Sequence, residues 1–112
     1  MCTKSQLEAI EEEMVNYYRS VYGDSIDTII LYGSYARGDY SDDSDIDITA
    51  IVRGNRVELQ KKLKKMWDFS TEVGLAYDVI VSPTVIPYDE FEQYKEKLSY
   101  YRNIVKEGRK IG

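Results

Sequence analysis

Residues 31–52, which read LYGSYARGDYSDDSDIDITAIV, combine a glycine–serine turn with two closely spaced aspartates at the start of an apolar run. Asp45 and Asp47 stand two positions apart, so in a strand both carboxylates would point to one face, about 6.6 Å apart along the chain. Two carboxylates held this close repel each other unless a cation lies between them. Oxygen ligands of this kind suit Mg²⁺ or Mn²⁺, and Mg²⁺ is commonly held by one or two carboxylates together with substrate phosphates. The pair therefore predicts a divalent-metal site that can accept a polyphosphate.

Gly33 and Ser34 offer the other half of such a site, because they end the preceding apolar run. Backbone N–H groups and a hydroxyl at the start of a short helix can bind a phosphate, and glycine lets the phosphate approach the backbone. Arg37 fits a phosphate contact and a salt bridge to a neighbouring aspartate equally well. Asp78, inside the apolar segment LAYDVIVSP, is expected in a strand beside the second one. There it could be a third metal ligand and accept the proton of an attacking hydroxyl.

Three well-known loops do not fit this stretch. The Gly33–Gly38 spacing is that of a P-loop, but the lysine that should follow is Asp39. A dinucleotide fingerprint needs glycine where Tyr35 stands. An EF-hand that begins at Asp39 would need glycine and glutamate where the chain has Ser44 and Ala50.

The composition of the chain limits which classes of protein it can belong to. The chain has 112 residues, of which 43% are hydrophobic and 31% charged, and this suits a single domain over residues 1–112. We expect a cytoplasmic protein without a membrane segment. No apolar run approaches the roughly 20 residues that span a bilayer, and the N-terminal residues show no signal-peptide pattern. The single cysteine, Cys2, excludes an internal disulfide, and the absence of histidine excludes Ser-His-Asp chemistry. A net charge of −5 makes nucleic acid an unexpected main partner, although four lysines within residues 61–65 leave it open.

Hydrophobic periodicity predicts an α/β (α+β) fold, in which helices pack on a small mixed sheet. Ser5 and Glu8 fit a capping box at the start of the first helix. The predicted elements are a helix over Ser5–Tyr22, strands over Thr28–Tyr32 and Asp45–Val52, a helix over Asn55–Thr71, a strand over Tyr77–Val81, and a long final helix from Phe91 that ends at Gly108.

These motifs resemble a known family. Gly33-Ser34, a ten-residue spacer, Asp45-Ile46-Asp47 and Asp78 are similar to the motif set of the DNA polymerase β-like nucleotidyltransferase superfamily. GSYARG followed by SDIDI resembles its minimal nucleotidyltransferase (MNT) branch, and the final YYRNIVKEG resembles the ends of those proteins. Many of them are antitoxins paired with HEPN-domain toxins. The resemblance covers residues 26–108 and implies a palm-like nucleotidyltransferase fold.

The resemblance also implies a reaction and its residues. It implies two divalent metal ions, a nucleoside triphosphate that is usually ATP, and transfer of NMP to a hydroxyl. By this resemblance, Asp45 and Asp47 bind both metals, Asp78 holds the catalytic metal and activates the acceptor, and Gly33–Ser34 contact the triphosphate. Arg37 belongs to the same motif. The chain departs from the branch at its end, where RKIG replaces an aromatic finish.

Alternative functions remain open from sequence. The first is an enzyme that transfers AMP from ATP to a hydroxyl of a partner protein, such as a HEPN-type toxin, because 112 residues leave no room for a substrate domain. The second is a non-catalytic, antitoxin-like module that neutralises a partner by contact. A structural domain that binds calcium or manganese is a third. Three acids predicted to converge favour the enzyme.

Overall fold

The computed structural model describes residues 2–112, which form a four-stranded mixed sheet with five α-helices. In chain order the elements are α1 (Lys4–Tyr22), a 3₁₀ turn (Gly23–Ser25), β1 (Ile26–Tyr32), α2 (Ser34–Arg37), β2 (Ile46–Val52), α3 (Arg56–Tyr77), β3 (Val81–Pro87), α4 (Tyr88–Tyr94), α5 (Ser99–Glu107) and β4 (Arg109–Lys110). The strand order is β3-β2-β1-β4. Strand β1 is antiparallel to β2 and β4, whereas β2 and β3 are parallel. The predicted mixed sheet is thus confirmed. No helix within residues 2–112 is both long enough and apolar enough to span a bilayer.

The two faces of the sheet carry different sets of β2 side chains. Ile46, Ile48 and Ala50 are fully buried in the larger core, on the face that α1 and α3 cover. Ile51 packs on the opposite face with residues of α4 and α5. Because strand side chains alternate, Asp47 points to the same face as Ile51. This face, partly covered by α4 and α5, is called the α4–α5 face below.

Tyr18 fastens α1 to the sheet. Its side chain is fully buried, and its hydroxyl lies 2.8 Å from the carbonyl oxygen of Thr84 and 3.2 Å from that of Ile48. These carbonyls belong to β3 and β2, so a single hydroxyl on α1 ties the helix to two strands. Burial is the main cause that raises the pKa of Tyr18 well above its ordinary value, and the hydroxyl therefore stays a proton donor.

Tyr18→Phe is expected to destabilise the fold by about 1 kcal/mol, because the ring is kept while buried carbonyls lose their donor. Urea unfolding followed by circular dichroism measures this change. Tyr40→Phe, at a tyrosine that is 37% exposed, is the matched control and should stay within about 0.5 kcal/mol of the parent. Equal unfolding midpoints for the two variants would contradict the proposed anchoring role.

Helix α1 begins earlier than predicted. Thr3, and not Ser5, is the N-cap: its hydroxyl accepts the N–H of Gln6 at 3.1 Å, and the Gln6 side chain accepts the N–H of Thr3 at 2.9 Å. The predicted pairing of Ser5 with Glu8 is therefore wrong. Both pairs have the spacing of a capping box, and the one placed earlier in the chain forms.

The elements around the third strand also differ from the prediction. Helix α3 continues past Thr71, and the strand lies at Val81–Pro87 instead of Tyr77–Val81. Pro83 and Pro87 both lie within this strand. Strand β3 is at the edge of the sheet, where one side of the backbone has no partner strand and a missing N–H is tolerated.

The predicted long final helix is divided into α4 and α5 by a turn over residues 95–98. The break lets Phe91 of α4 and Ile104 of α5 pack in one cluster on the α4–α5 face. After α5 the chain adds β4 beside β1, an element that the prediction did not contain. Arg109 in β4 forms a 2.7 Å salt bridge with the buried Glu11 of α1, which fixes this final segment.

Candidate active site

Gly33 forms the turn between β1 and α2. Its backbone has φ 76° and ψ −158°, a combination that is essentially restricted to glycine. The Gly33 carbonyl accepts the N–H groups of Ala36 at 3.1 Å and Arg37 at 3.0 Å, and these bonds start α2. The N–H groups of Ser34 and Tyr35 precede the first of these bonds and have no acceptor within the helix. Such groups can bind an anion at the start of a helix.

Asp47 reaches this turn from β2. It is paired with Tyr32, the residue before Gly33, across the antiparallel strands. A β-carbon at Gly33 would collide with Oδ2 of Asp47 and stand 3.3 Å from its Cγ, so the carboxylate lies directly against the glycine. Asp45 lies immediately before β2 and two residues from Asp47, close enough for its charge to raise the pKa of Asp47. The predicted residues Asp45, Asp47, Gly33 and Ser34 therefore lie together where β1 ends and β2 begins.

The two carboxylates oppose each other electrostatically. Asp47 is half-buried and Asp45 is exposed. The pKa of Asp47 is raised, first because burial removes its solvation and second because of the negative charge of Asp45, while the positive charge of Arg37 lowers it. The ionised pair is thus unfavourable as it stands, and a cation close to both oxygens would relieve the repulsion.

Arg37 is held by two acids. Its Nε lies 3.2 Å from Oδ2 of Asp39, and its Nη1 lies 3.2 Å from Oε2 of Glu107. Its pKa is raised mainly by the hydrogen bond to Asp39 and then by the one to Glu107. Of the two interpretations from sequence, the structure displays the salt bridge. A phosphate contact would require the guanidinium to release one of these partners.

The prediction that Asp78 lies in a strand is wrong. Asp78 is exposed and ends α3 in the left-handed conformation, with φ 56° and ψ 47°, and its N–H donates to the carbonyl of Gly74. The β2–β3 register places Ser82, and not Asp78, beside Asp47. Within residues 2–112 no three acidic, histidine or cysteine side chains are grouped so that they could hold a metal ion. The structure therefore does not bring Asp78 into a three-carboxylate site.

Three side chains on the α4–α5 face were not anticipated. The hydroxyls of Tyr32 and Tyr100 are 2.8 Å apart, and their rings meet edge to face at 5.9 Å. Burial, the hydrogen bond to Tyr100 and the charge of Asp47 all raise the pKa of Tyr32. Thr49 is fully buried, and its hydroxyl has no hydrogen-bond partner in the described part of the chain.

Strand alternation alone could have identified Thr49, which lies two residues after Asp47. Tyr32 could have been identified by its position directly before Gly33. Tyr100 carries no sequence signal, because its approach to Tyr32 depends on how α5 packs on the sheet.

Comparison with known proteins places this geometry in a family. Residues 8–111 match the family model described as the nucleotidyltransferase domain. The chain is 38% identical over 98 residues to MJ0604 of Methanocaldococcus jannaschii, a protein named as a candidate protein adenylyltransferase. That alignment covers 88% of this chain and 90% of the relative.

Two solved structures share the fold. One is a toxin–antitoxin structure with AMP-PNP, with a TM-score of 0.53 at 18% identity, covering 90% of this chain and 72% of the other. The second contains a tri-AMPylated Shewanella oneidensis HEPN toxin in complex with an MNT antitoxin, with a TM-score of 0.52 at 16% identity and coverages of 94% and 71%. Because the family model spans almost the whole chain, the protein belongs to the nucleotidyltransferase domain family.

Proposed function

We propose that this nucleotidyltransferase transfers AMP from ATP to a hydroxyl group of a partner protein, and that the partner is a HEPN-type toxin which it neutralises as an antitoxin. The relative MJ0604 is named as a candidate protein adenylyltransferase. The two structural neighbours contain toxin–antitoxin pairs, one with AMP-PNP and one with an AMPylated HEPN toxin. These likenesses support ATP as the donor and a protein as the acceptor.

The observation that carries the proposal is the contact between Asp47 and Gly33. The carboxylate that would bind a metal lies directly against the turn that would bind a phosphate, and a β-carbon at position 33 would occupy the same space. A metal ion on Asp47 and a phosphate at the start of α2 would therefore be neighbours. This juxtaposition is what transfer from a triphosphate requires.

Asp45 and Asp47 are the residues that would hold Mg²⁺, as two ions, with Mn²⁺ as an alternative. A pair of carboxylates without a third protein ligand fits Mg²⁺, because this ion commonly takes one or two carboxylates and completes its shell with phosphates and water. The raised pKa of Asp47 fits as well, since a cation between the carboxylates would turn repulsion into attraction. When bound, such an ion neutralises phosphate charge and lowers the pKa of the attacking hydroxyl.

The chain's own groups would bind and orient the triphosphate. The N–H groups at the start of α2 and the Ser34 hydroxyl would contact its oxygens, and Gly33 leaves room for their approach. Arg37 would contribute by exchanging Asp39 or Glu107 for a phosphate oxygen, since its two salt bridges lie at an exposed surface. Asp78 has no part in this proposal, because within residues 2–112 no three acidic side chains are grouped so that they could hold a metal ion.

Radiolabel transfer tests the proposed reaction. The chain is incubated with Mg²⁺, a HEPN-type protein from the same genome, and ATP labelled at either the α- or the γ-phosphate. We expect the partner to gain label from α-labelled ATP only, because AMP is transferred and pyrophosphate leaves. Asp45→Asn should reduce the rate by about 100-fold, since a bound metal supplies several kcal/mol of transition-state stabilisation.

Asp24→Asn is the matched control, because it makes the same change at an exposed aspartate at the opposite end of β1 from Gly33. Label from γ-labelled ATP would show phosphate transfer and contradict the proposal. Neutralisation of the partner without label, and without sensitivity to Asp45→Asn, would identify the non-catalytic binding module instead.

A further inference from the structure

A cavity of about 630 Å³ lies beside the candidate site, between the loop before β2, the C-terminal half of α3 and the start of β3. Asp45 is part of its lining. The Gly33 turn follows β1 and the cavity is lined by the start of β3, and these two strands flank β2, which Asp45 directly precedes. The cavity volume is in the range of ordinary ligand sites.

Apolar side chains that line the cavity are unusually exposed. Leu75 is 80% exposed, Ile80 is 62% exposed and Trp67 is 44% exposed. Trp67 and Leu75 come from α3, and Ile80 precedes β3. Exposed apolar residues that converge on one concave surface with a polar rim are typical of binding sites.

The negative charge of the cavity lining indicates which kind of ligand it can bind. Four aspartates, Asp42, Asp43, Asp45 and Asp78, are among its thirteen lining residues, and none of those thirteen is lysine or arginine. A phosphate-rich ligand would be repelled over most of this surface. A segment with positive charges and apolar side chains would complement both its charge and its exposed residues.

We propose that this cavity docks the acceptor segment of the partner, a peptide stretch in which basic and apolar residues surround the reacting hydroxyl. This inference rests on the proposed function, because Asp45 belongs both to the cavity and to the carboxylate pair that would bind the metal. A peptide in the cavity and a triphosphate at Gly33 would both approach that pair.

The transfer step is balanced. The acceptor oxygen forms a bond to the α-phosphorus of ATP, and the bond from that phosphorus to the pyrophosphate oxygen breaks. Pyrophosphate leaves with the electron pair, and the hydroxyl proton passes to solvent water. The cavity contributes position, by holding the hydroxyl beside Asp45.

Trp67 is the only tryptophan in the chain and therefore reports directly on the cavity. Its fluorescence is titrated with the peptide Arg-Leu-Tyr-Leu-Arg and with Glu-Leu-Tyr-Leu-Glu. We expect the basic peptide to bind at least about tenfold more tightly than the acidic one, because like charges across an interface are costly. Asp43→Lys and Leu75→Ala should each weaken the basic peptide by about tenfold, through charge and apolar contact respectively.

Two variants outside the cavity are the controls. Asp24→Lys makes the same change in net charge as Asp43→Lys, and Val57→Ala shortens a 60% exposed residue at the other end of α3. Neither should change the affinity for the basic peptide. Equal binding of both peptides, or no effect of Asp43→Lys, would overturn the inference. It is also overturned if Mg-ATP alone shifts the Trp67 emission and displaces the peptide, because the cavity then holds the nucleoside.

AMP transfer to the basic peptide separates this inference from the proposed function. If the basic peptide docks as expected but neither it nor the HEPN-type protein gains AMP, the cavity binds basic peptides and the proposed function fails. If AMP is transferred with a KM that neither Asp43→Lys nor Leu75→Ala changes, the proposed function stands and the docking inference fails.

Discussion

Gly33→Ala is expected to reduce nucleotidyl transfer by more than about 100-fold, because an error of about 1 Å at a reacting centre has an effect of this order. The new methyl group would collide with Oδ2 of Asp47 and displace the carboxylate from the turn. The same change should destabilise the fold by about 1–3 kcal/mol, since φ 76° with ψ −158° is costly for alanine. Radiolabel transfer from α-labelled ATP and thermal unfolding measure the two effects.

Gly23→Ala is the control that separates strain from collision. Gly23 also has a positive φ, 61°, but a β-carbon there would meet no atom within 4 Å. This variant should lose stability and keep its activity. If Gly33→Ala and Gly23→Ala lose activity equally, the contact between Gly33 and Asp47 is not what supports transfer.

The first half of the fold follows from local sequence patterns. Strands β1 and β2 are short runs of β-branched and apolar residues. Gly33 follows β1, and an aspartate-rich loop precedes β2. Such runs between turn residues predict strands well. Their predicted bounds, Thr28–Tyr32 and Asp45–Val52, lie within two residues of the observed ones.

The third strand depends on contacts that sequence patterns do not show. A β-carbon at Gly74 would stand 2.5 Å from the carbonyl oxygen of Val79, so the absence of a side chain lets the chain fold back at the end of α3. Asp78 adopts the left-handed conformation that ends this helix. The apolar residues around Asp78 are typical of a buried strand, yet Asp78 is a turn residue. Aspartate tolerates the left-handed conformation because its side chain can form local hydrogen bonds.

The same distinction applies to the candidate site. The spacing of Asp45 and Asp47 after a Gly-Ser turn predicts two adjacent halves of a site, and the pairing of β1 with β2 brings Asp47 against Gly33. Whether a third carboxylate joins Asp45 and Asp47 depends on how the chain folds between α3 and β3, and local sequence patterns do not encode this. Within residues 2–112 no three acidic side chains are grouped for a metal ion, and a metal held by Asp45 and Asp47 would take phosphate and water as further ligands.

Asp47→Asn should reduce transfer of label from α-labelled ATP by about 100-fold to 1,000-fold, because the loss of a metal ligand removes several kcal/mol of transition-state stabilisation. The same variant should be slightly more stable than the parent without metal. Removing one member of a like-charged pair at this half-buried position contributes on the order of 0.5 kcal/mol. Asp24→Asn, the isosteric control at an exposed position, should change neither property.

The sign of this stability change follows from the raised pKa of Asp47. Between its ordinary pKa and the raised one, the folded chain binds more protons than the unfolded chain, so stability is lost as pH rises through that interval. At pH 7 the ionised carboxylate is therefore a cost that Asn removes and that a bound cation also offsets. Mg²⁺ at 100 times its Kd should stabilise the parent by about 2.7 kcal/mol and leave Asp47→Asn almost unchanged. Thermal unfolding at pH 7 with and without MgCl₂ measures both differences, and an equal rise in Tm for the two proteins would place the metal away from Asp47.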